Sequence, residues 1–83
     1  MNIAGVVIHA RPEQMSFVQK AMLAMQGVEI HGTKDDGRFV VTVEDEDYRE
    51  TSDLVLSLHQ IKGVLSATLV YQHSEDLSEE ITH

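Results

Sequence analysis

The sequence predicts a single small α+β domain in which strand–helix–strand is written twice. Three observations carry this. Val18, Met22, Met25, Gly27 and Val28 are matched 36 residues later by Leu54, Leu58, Ile61, Gly63 and Val64. In each half, a helical apolar stripe lies between runs rich in β-branched residues. Between the halves stands Asp36-Gly37, a tight hairpin signal.

The elements follow in chain order. "IAGVVIHA" has the β-branched content of a strand. Arg11-Pro12-Glu13 opens a helix, with Pro12 near its first position and Glu13 at the positive end of its dipole. Met15, Val18, Met22 and Met25 form its stripe, and Gly27 is expected at its C′ position. "VEIHG" is a second strand, "TKDDG" a turn and "RFVVTVE" a third strand. The second helix is expected to begin near Asp47, where Asp47 and Glu50 have capping-box spacing. Leu54, Leu58 and Ile61 make its stripe, with Val55 beside them; Gly63 ends it and "VLSATLVYQ" is the last strand.

Parallel strands joined by a helix cross over right-handedly, and two such split units interleave into a four-stranded antiparallel sheet. The expected fold is therefore ferredoxin-like, β-α-β-β-α-β with strand order 4-1-3-2 and both helices on one face. The lengths agree: a helix of about 14 residues spans about 21 Å, and a strand of about 7 residues about 23 Å. Residues 1–73 are expected to form this one domain. Residues 74–83, in "HSEDLSEEITH", are polar and acidic and read as a frayed tail.

Composition narrows the function. The chain has 83 residues, no cysteine and a formal net charge of −8. No disulfide or thiolate metal site is possible. No apolar run approaches the roughly 20 residues of a membrane helix, and the N-terminus lacks the pattern of a secretory signal. A cytoplasmic location is the expectation. Residues 1–34 hold three basic and two acidic side chains, whereas 35–83 hold three basic and twelve acidic. A nucleic-acid binder needs the opposite sign. A basic peptide or protein surface is the complementary partner, although acidic charge also keeps a small domain soluble.

Strand alternation sorts the side chains into two faces. Val6, Ile8 and Ala10 are expected inward on the first strand, Val28 and Ile30 on the second, and Phe39, Val41 and Val43 on the third. On the fourth, Leu65, Ala67, Leu69 and Tyr71 are expected inward. The uncovered face then carries Val7 at its centre, flanked by Val40 and Val70. Gly5, Thr42, Ser66 and Thr68 surround them, with His9, His31, Arg38, Glu29 and Gln72 further out. An apolar patch with a polar rim suits a binding surface, while strand propensity alone also places Val and Thr there. A one-residue slip would invert the assignment.

Catalytic and metal chemistry find little support. There is no phosphate loop and no nucleophile elbow. Glu44-Asp45-Glu46-Asp47 lacks calcium-loop spacing and its glycine. The histidines at 9, 31, 59, 73 and 83 form no close ligand motif. Met15, Met22 and Met25 follow the core stripe, so packing explains them better than a peptide groove.

"GVLSATLVYQH", taken with "VVIHARPE", "GVEIHG", "GRFVVTVE" and "IKGV", resembles the NapD family from about Ile3 to His73. These proteins are cytoplasmic chaperones of NapA, the catalytic subunit of periplasmic nitrate reductase. The resemblance implies a ferredoxin-like fold, matching the reading above. It also implies binding to the twin-arginine (Tat) signal peptide of the NapA precursor, holding export back until the molybdenum cofactor is inserted. No enzyme activity and no cofactor of its own are implied, since the cofactor belongs to the client.

A signal peptide folded as an amphipathic helix could lay apolar side chains over Val7, Val40 and Val70. The candidate peptide-binding residues are Val7, His9, Arg38, Val40, Thr42, Ser66, Thr68 and Val70. The acidic excess would speed encounter with a basic peptide, and edge-strand addition is the competing mode. Three other readings fit the fold: a small-molecule regulatory domain of the ACT type, a histidine-based metal-binding module, and a purely structural subunit of a larger complex.

Overall fold

The computed structural model describes residues 2–45 and 48–74. Strands β1 (Asn2–Ala10), β2 (Val28–Thr33), β3 (Arg38–Asp45) and β4 (Val64–Ser74) alternate with helices α1 (Met15–Leu23) and α2 (Tyr48–His59). All pairings are antiparallel and the strand order is β2-β3-β1-β4. This is the ferredoxin-like arrangement the sequence predicts. The expected Asp47–Glu50 cap and most of the acidic tail lie outside the described residues.

The chain enters α1 less directly than expected. Pro12–Gln14 form one 3₁₀ turn, in which the Met15 N–H donates to the Pro12 carbonyl. Proline has no N–H to lose at a helix start, so Pro12 nucleates this turn without cost. The α-helix proper begins at Met15. Its stripe is as predicted: Val18 and Met22 are fully buried, with Met15 and Met25 packed against them. In α2, Leu58 is fully buried and Leu54 and Val55 are partly so, with Ile61 beyond the helix end packed beside them.

The repeated glycines cap neither helix directly. α1 ends at Leu23 and α2 at His59, several residues before Gly27 and Gly63. Each glycine is instead the third residue of a turn into the next strand. Val28 N–H donates to Met25 O at 3.4 Å, and Val64 N–H to Ile61 O at 3.0 Å. Gly27 has φ 87° and Gly63 φ 98°, which suits the third position of a type II turn. Gly63 is doubly constrained, since a Cβ there would lie 2.6 Å from Gln14 Cβ. Its carbonyl accepts the Arg11 N–H at 2.8 Å, tying the β1–α1 corner to the α2–β4 corner.

The core lies between the sheet and the helices. Ala4, Val6, Ile8 and Ala10 on β1 and Phe39, Val41 and Val43 on β3 are all fully buried. Burying a side chain such as Phe39 or Ile8 contributes roughly 1.5–3 kcal/mol. The edge strands contribute less: Val28 and Ile30 on β2, and Val64 and Ala67 on β4, pack against this cluster but remain partly exposed.

β4 departs from the simple alternation expected of it. Its pairing with β1 slips at two places, between Gly5 and Val6 and between His9 and Ala10. Leu65 and Val70 are the extra residues, with no partner on β1. Each bulge reverses the parity of the residues beyond it. Tyr71, expected in the core, is in register with Gly5 on the opposite face, while Gln72, expected outward, pairs with Ala4 on the helix side. Leu65 and Leu69, also expected in the core, are each 48% exposed. Leu65 is the extra residue of its bulge. Leu69 shares the side of Val6, but stands on an edge strand that the helices cover only in part. Val64 takes the inward place opposite Ala10 instead.

Substituting Gly63→Ala is expected to destabilise the domain by about 1–3 kcal/mol, since it combines a disfavoured backbone region with a close contact. Urea denaturation monitored by circular dichroism checks this; an unchanged midpoint would show that the turn relaxes freely.

Candidate functional site on the uncovered sheet face

Both helices cover one face of the sheet, and among the described residues no element covers the other. The pairings arrange its side chains in rows across the strands. Arg38, His9 and Ser66 form one row. Gly32, Val40, Val7 and Thr68 form the next, followed by Glu29, Thr42, Gly5 and Tyr71. Glu44, Ile3 and His73 make the last row.

Seven of the eight candidate residues therefore fall in these rows: Val7, His9, Arg38, Val40, Thr42, Ser66 and Thr68. Val7 is half-buried at the centre and Val40 is 50% exposed beside it. Val70 is placed differently. It is the extra residue of a bulge and 56% exposed; Thr68, not Val70, stands opposite Val7.

Two further residues belong to the face: Ile3, which alternation with Gly5, Val7 and His9 puts there, and Tyr71, which alternation assigns to the core. Ile3, half-buried, pairs with Glu44 and His73 and carries the apolar surface one row beyond Gly5. Tyr71 lies over Gly5, with its Cδ1–Cε1 side in the space that a Cβ at Gly5 would fill. The signal for this contact was present in the chain. A glycine inside a β-branched strand marks a close approach, and an aromatic on the neighbouring strand commonly covers it.

Local polar contacts tune the rim. His31, the extra residue where β2 slips against β3, shares a 2.8 Å hydrogen bond between its Nε2 and Thr42 Oγ1. The Thr42 hydroxyl is thus already engaged. At the hairpin end, Arg38 Nε and Nη2 both reach Asp36 Oδ2, at 2.9 and 2.8 Å. The Arg38 guanidinium holds the Asp36 carboxyl below the usual aspartate range. A depressed carboxylate contributes stability above its unfolded pKa that is lost as pH falls through the folded one. Both side chains are exposed, so the pair acts mainly to orient Arg38. Among the described residues, no group of three or more His, Asp or Glu side chains could hold a metal ion. No helix among them is long and apolar enough to cross a membrane.

A family model described as NapD protein matches residues 1–76. The chain belongs to the NapD family. Chaperone NapD of Haemophilus influenzae is 32% identical over 77 residues, covering 90% of this chain and 81% of that protein. Chaperone NapD of Escherichia coli K12 is 29% identical over 80 residues, covering 95% and 92% respectively. Among solved structures, the solution structure of the E. coli Tat proofreading chaperone NapD superposes with a TM-score of 0.78 at 28% identity. That match covers 89% of this chain and 78% of the other. The NapD relatives are thus named as chaperones, and the ferredoxin-like fold is common to this chain and the solved NapD.

Within this NapD family member, the Tyr71–Gly5 contact is directly testable. Replacing Gly5→Ala should displace the Tyr71 ring while leaving the core intact, because the clash is with a side chain and not with backbone. Proton NMR should show the Tyr71 ring resonances shifting while the Phe39 and Ile8 resonances stay in place. Unchanged Tyr71 shifts would mean the ring does not rest on Gly5.

Proposed function

We propose that this NapD family member is a chaperone that binds the twin-arginine signal peptide of the NapA precursor through its open sheet face. Binding delays export until the molybdenum cofactor has been inserted into the client. The peptide-binding residues on this reading are Val7, Val40, Thr68, Ser66, His9, Arg38 and Thr42, with Val70 at the margin.

One observation carries the choice of surface. The central strands β1 and β3 are covered on one side only, and Val7 and Val40 meet at the middle of the uncovered side. An apolar centre with polar and hydroxyl neighbours suits an amphipathic helix laid across it. The family supports the chaperone role, and the solved NapD relative is described as a Tat proofreading chaperone. The formal charge of −8 favours encounter with a basic signal peptide. The client carries the cofactor and performs the redox chemistry; the role assigned to this chain is retention of the precursor.

Isothermal titration with the synthetic signal peptide tests the reading. A Val7→Glu variant that folds normally should bind at least tenfold more weakly, since a carboxylate would then be buried under the apolar side of the peptide. Retained full affinity in that variant would place the peptide elsewhere, for instance on a sheet edge. A peptide with both arginines changed to lysine should bind more weakly wherever planar guanidinium recognition matters.

A further inference from the structure

The open face is not uniform along its strands, and its asymmetry extends the signal-peptide reading, on which this inference rests. From Ile3 to His9 the face runs six residue steps, about 20 Å, the length of a helix of about 13 residues. The apolar pair Val7 and Val40 lies within this span.

On the Ile3 side of that pair, the next row holds Tyr71 and Glu29, and the last holds the carboxylate of Glu44 across Ile3 from the imidazole of His73. Tyr71 is fixed against Gly5, yet remains 51% exposed. An aromatic ring held in this way offers its π-surface to a cation, and guanidinium groups stack on such rings most often. Among the described residues, neither Glu29 nor Glu44 forms an ion pair. In the sequence, Glu44 runs on into Asp45-Glu46-Asp47 and Ser74 into Glu75-Asp76.

The His9 side differs in charge. Arg38 faces His9 across the strands, and its guanidinium is already engaged by Asp36 at 2.8 Å. A second cation arriving there meets no open carboxylate on the face and lies beside Arg38. The two ends of the apolar strip are therefore electrically distinct.

We propose that the face holds its peptide in one direction. The guanidinium-bearing end lies over Tyr71, Glu29 and Glu44, and the apolar segment runs over Val7 and Val40 toward His9 and Ser66. Tyr71 is the residue that recognises the cation.

The test uses ¹⁵N-labelled full-length protein and a synthetic twin-arginine signal peptide carrying a nitroxide at either terminus. The label nearer the arginines should broaden the amides of Ile3, Gly5, Thr42 and Tyr71. The label at the apolar end should broaden those of His9, Arg38 and Ser66. The reverse pattern, or equal broadening at both ends, overturns the direction while leaving the face as the binding surface. Broadening confined to the helices or to β2 overturns the face reading and the direction with it. Tyr71→Leu should weaken binding roughly three- to tenfold, and Tyr71→Phe should keep it. The Tyr71→Leu effect should vanish for a peptide with both arginines changed to glutamine. An equal loss on that peptide would assign Tyr71 to packing and overturn its role in cation recognition.

Discussion

The pairing of β1 with β3, covered on one side only, is the constraint on which the rest of this structure depends. Every helix-facing side chain from Ala4 to Ala10 and from Phe39 to Val43 is fully buried. Two short helices supply just enough apolar surface to cover that one side. Among the described residues, no third layer covers the other side. The open face is thus a result of topology, and its half-buried Ile3 and Val7 and half-exposed Val40 stand on the paired central strands. Side chains on paired central strands are held more accurately than they would be on a loop.

Much of this architecture was legible in the chain because it rests on local patterns. The 36-residue repeat marks two equivalent half-domains, and the structure gives Gly27 and Gly63 the same turn geometry and the same hydrogen bond into the next strand. Helix stripes at Val18, Met22 and Leu58 became core positions, since helical periodicity survives small errors in the helix ends. Alternation on β1 and β3 was equally readable, both strands being regular across the core.

β4 was misread for a physical reason. Alternation assigns faces only while the ladder is continuous, and each extra residue reverses the assignment beyond it. Leu65 and Val70 lack β1 partners through backbone geometry, which composition does not express. Tyr71 therefore belongs to the open face and not to the core. Only the opposing glycine hinted at this, and that hint required knowing the register of two strands far apart in sequence. The candidate site was legible to the extent that it lay on β1 and β3, and blurred where it reached β4.

The same two bulges have a consequence for self-association. From Val64 to Gln72, β4 carries no charged residue, and it forms one border of the sheet. An uncharged apolar border ordinarily serves as a template for stray strands and for aggregation. Here the ladder is broken into two regular runs, Ser66 to Leu69 and Tyr71 to Ser74, each shorter than a typical strand length of about five to six residues. Protection against sticking to unfolded chains is thus built into the backbone of β4.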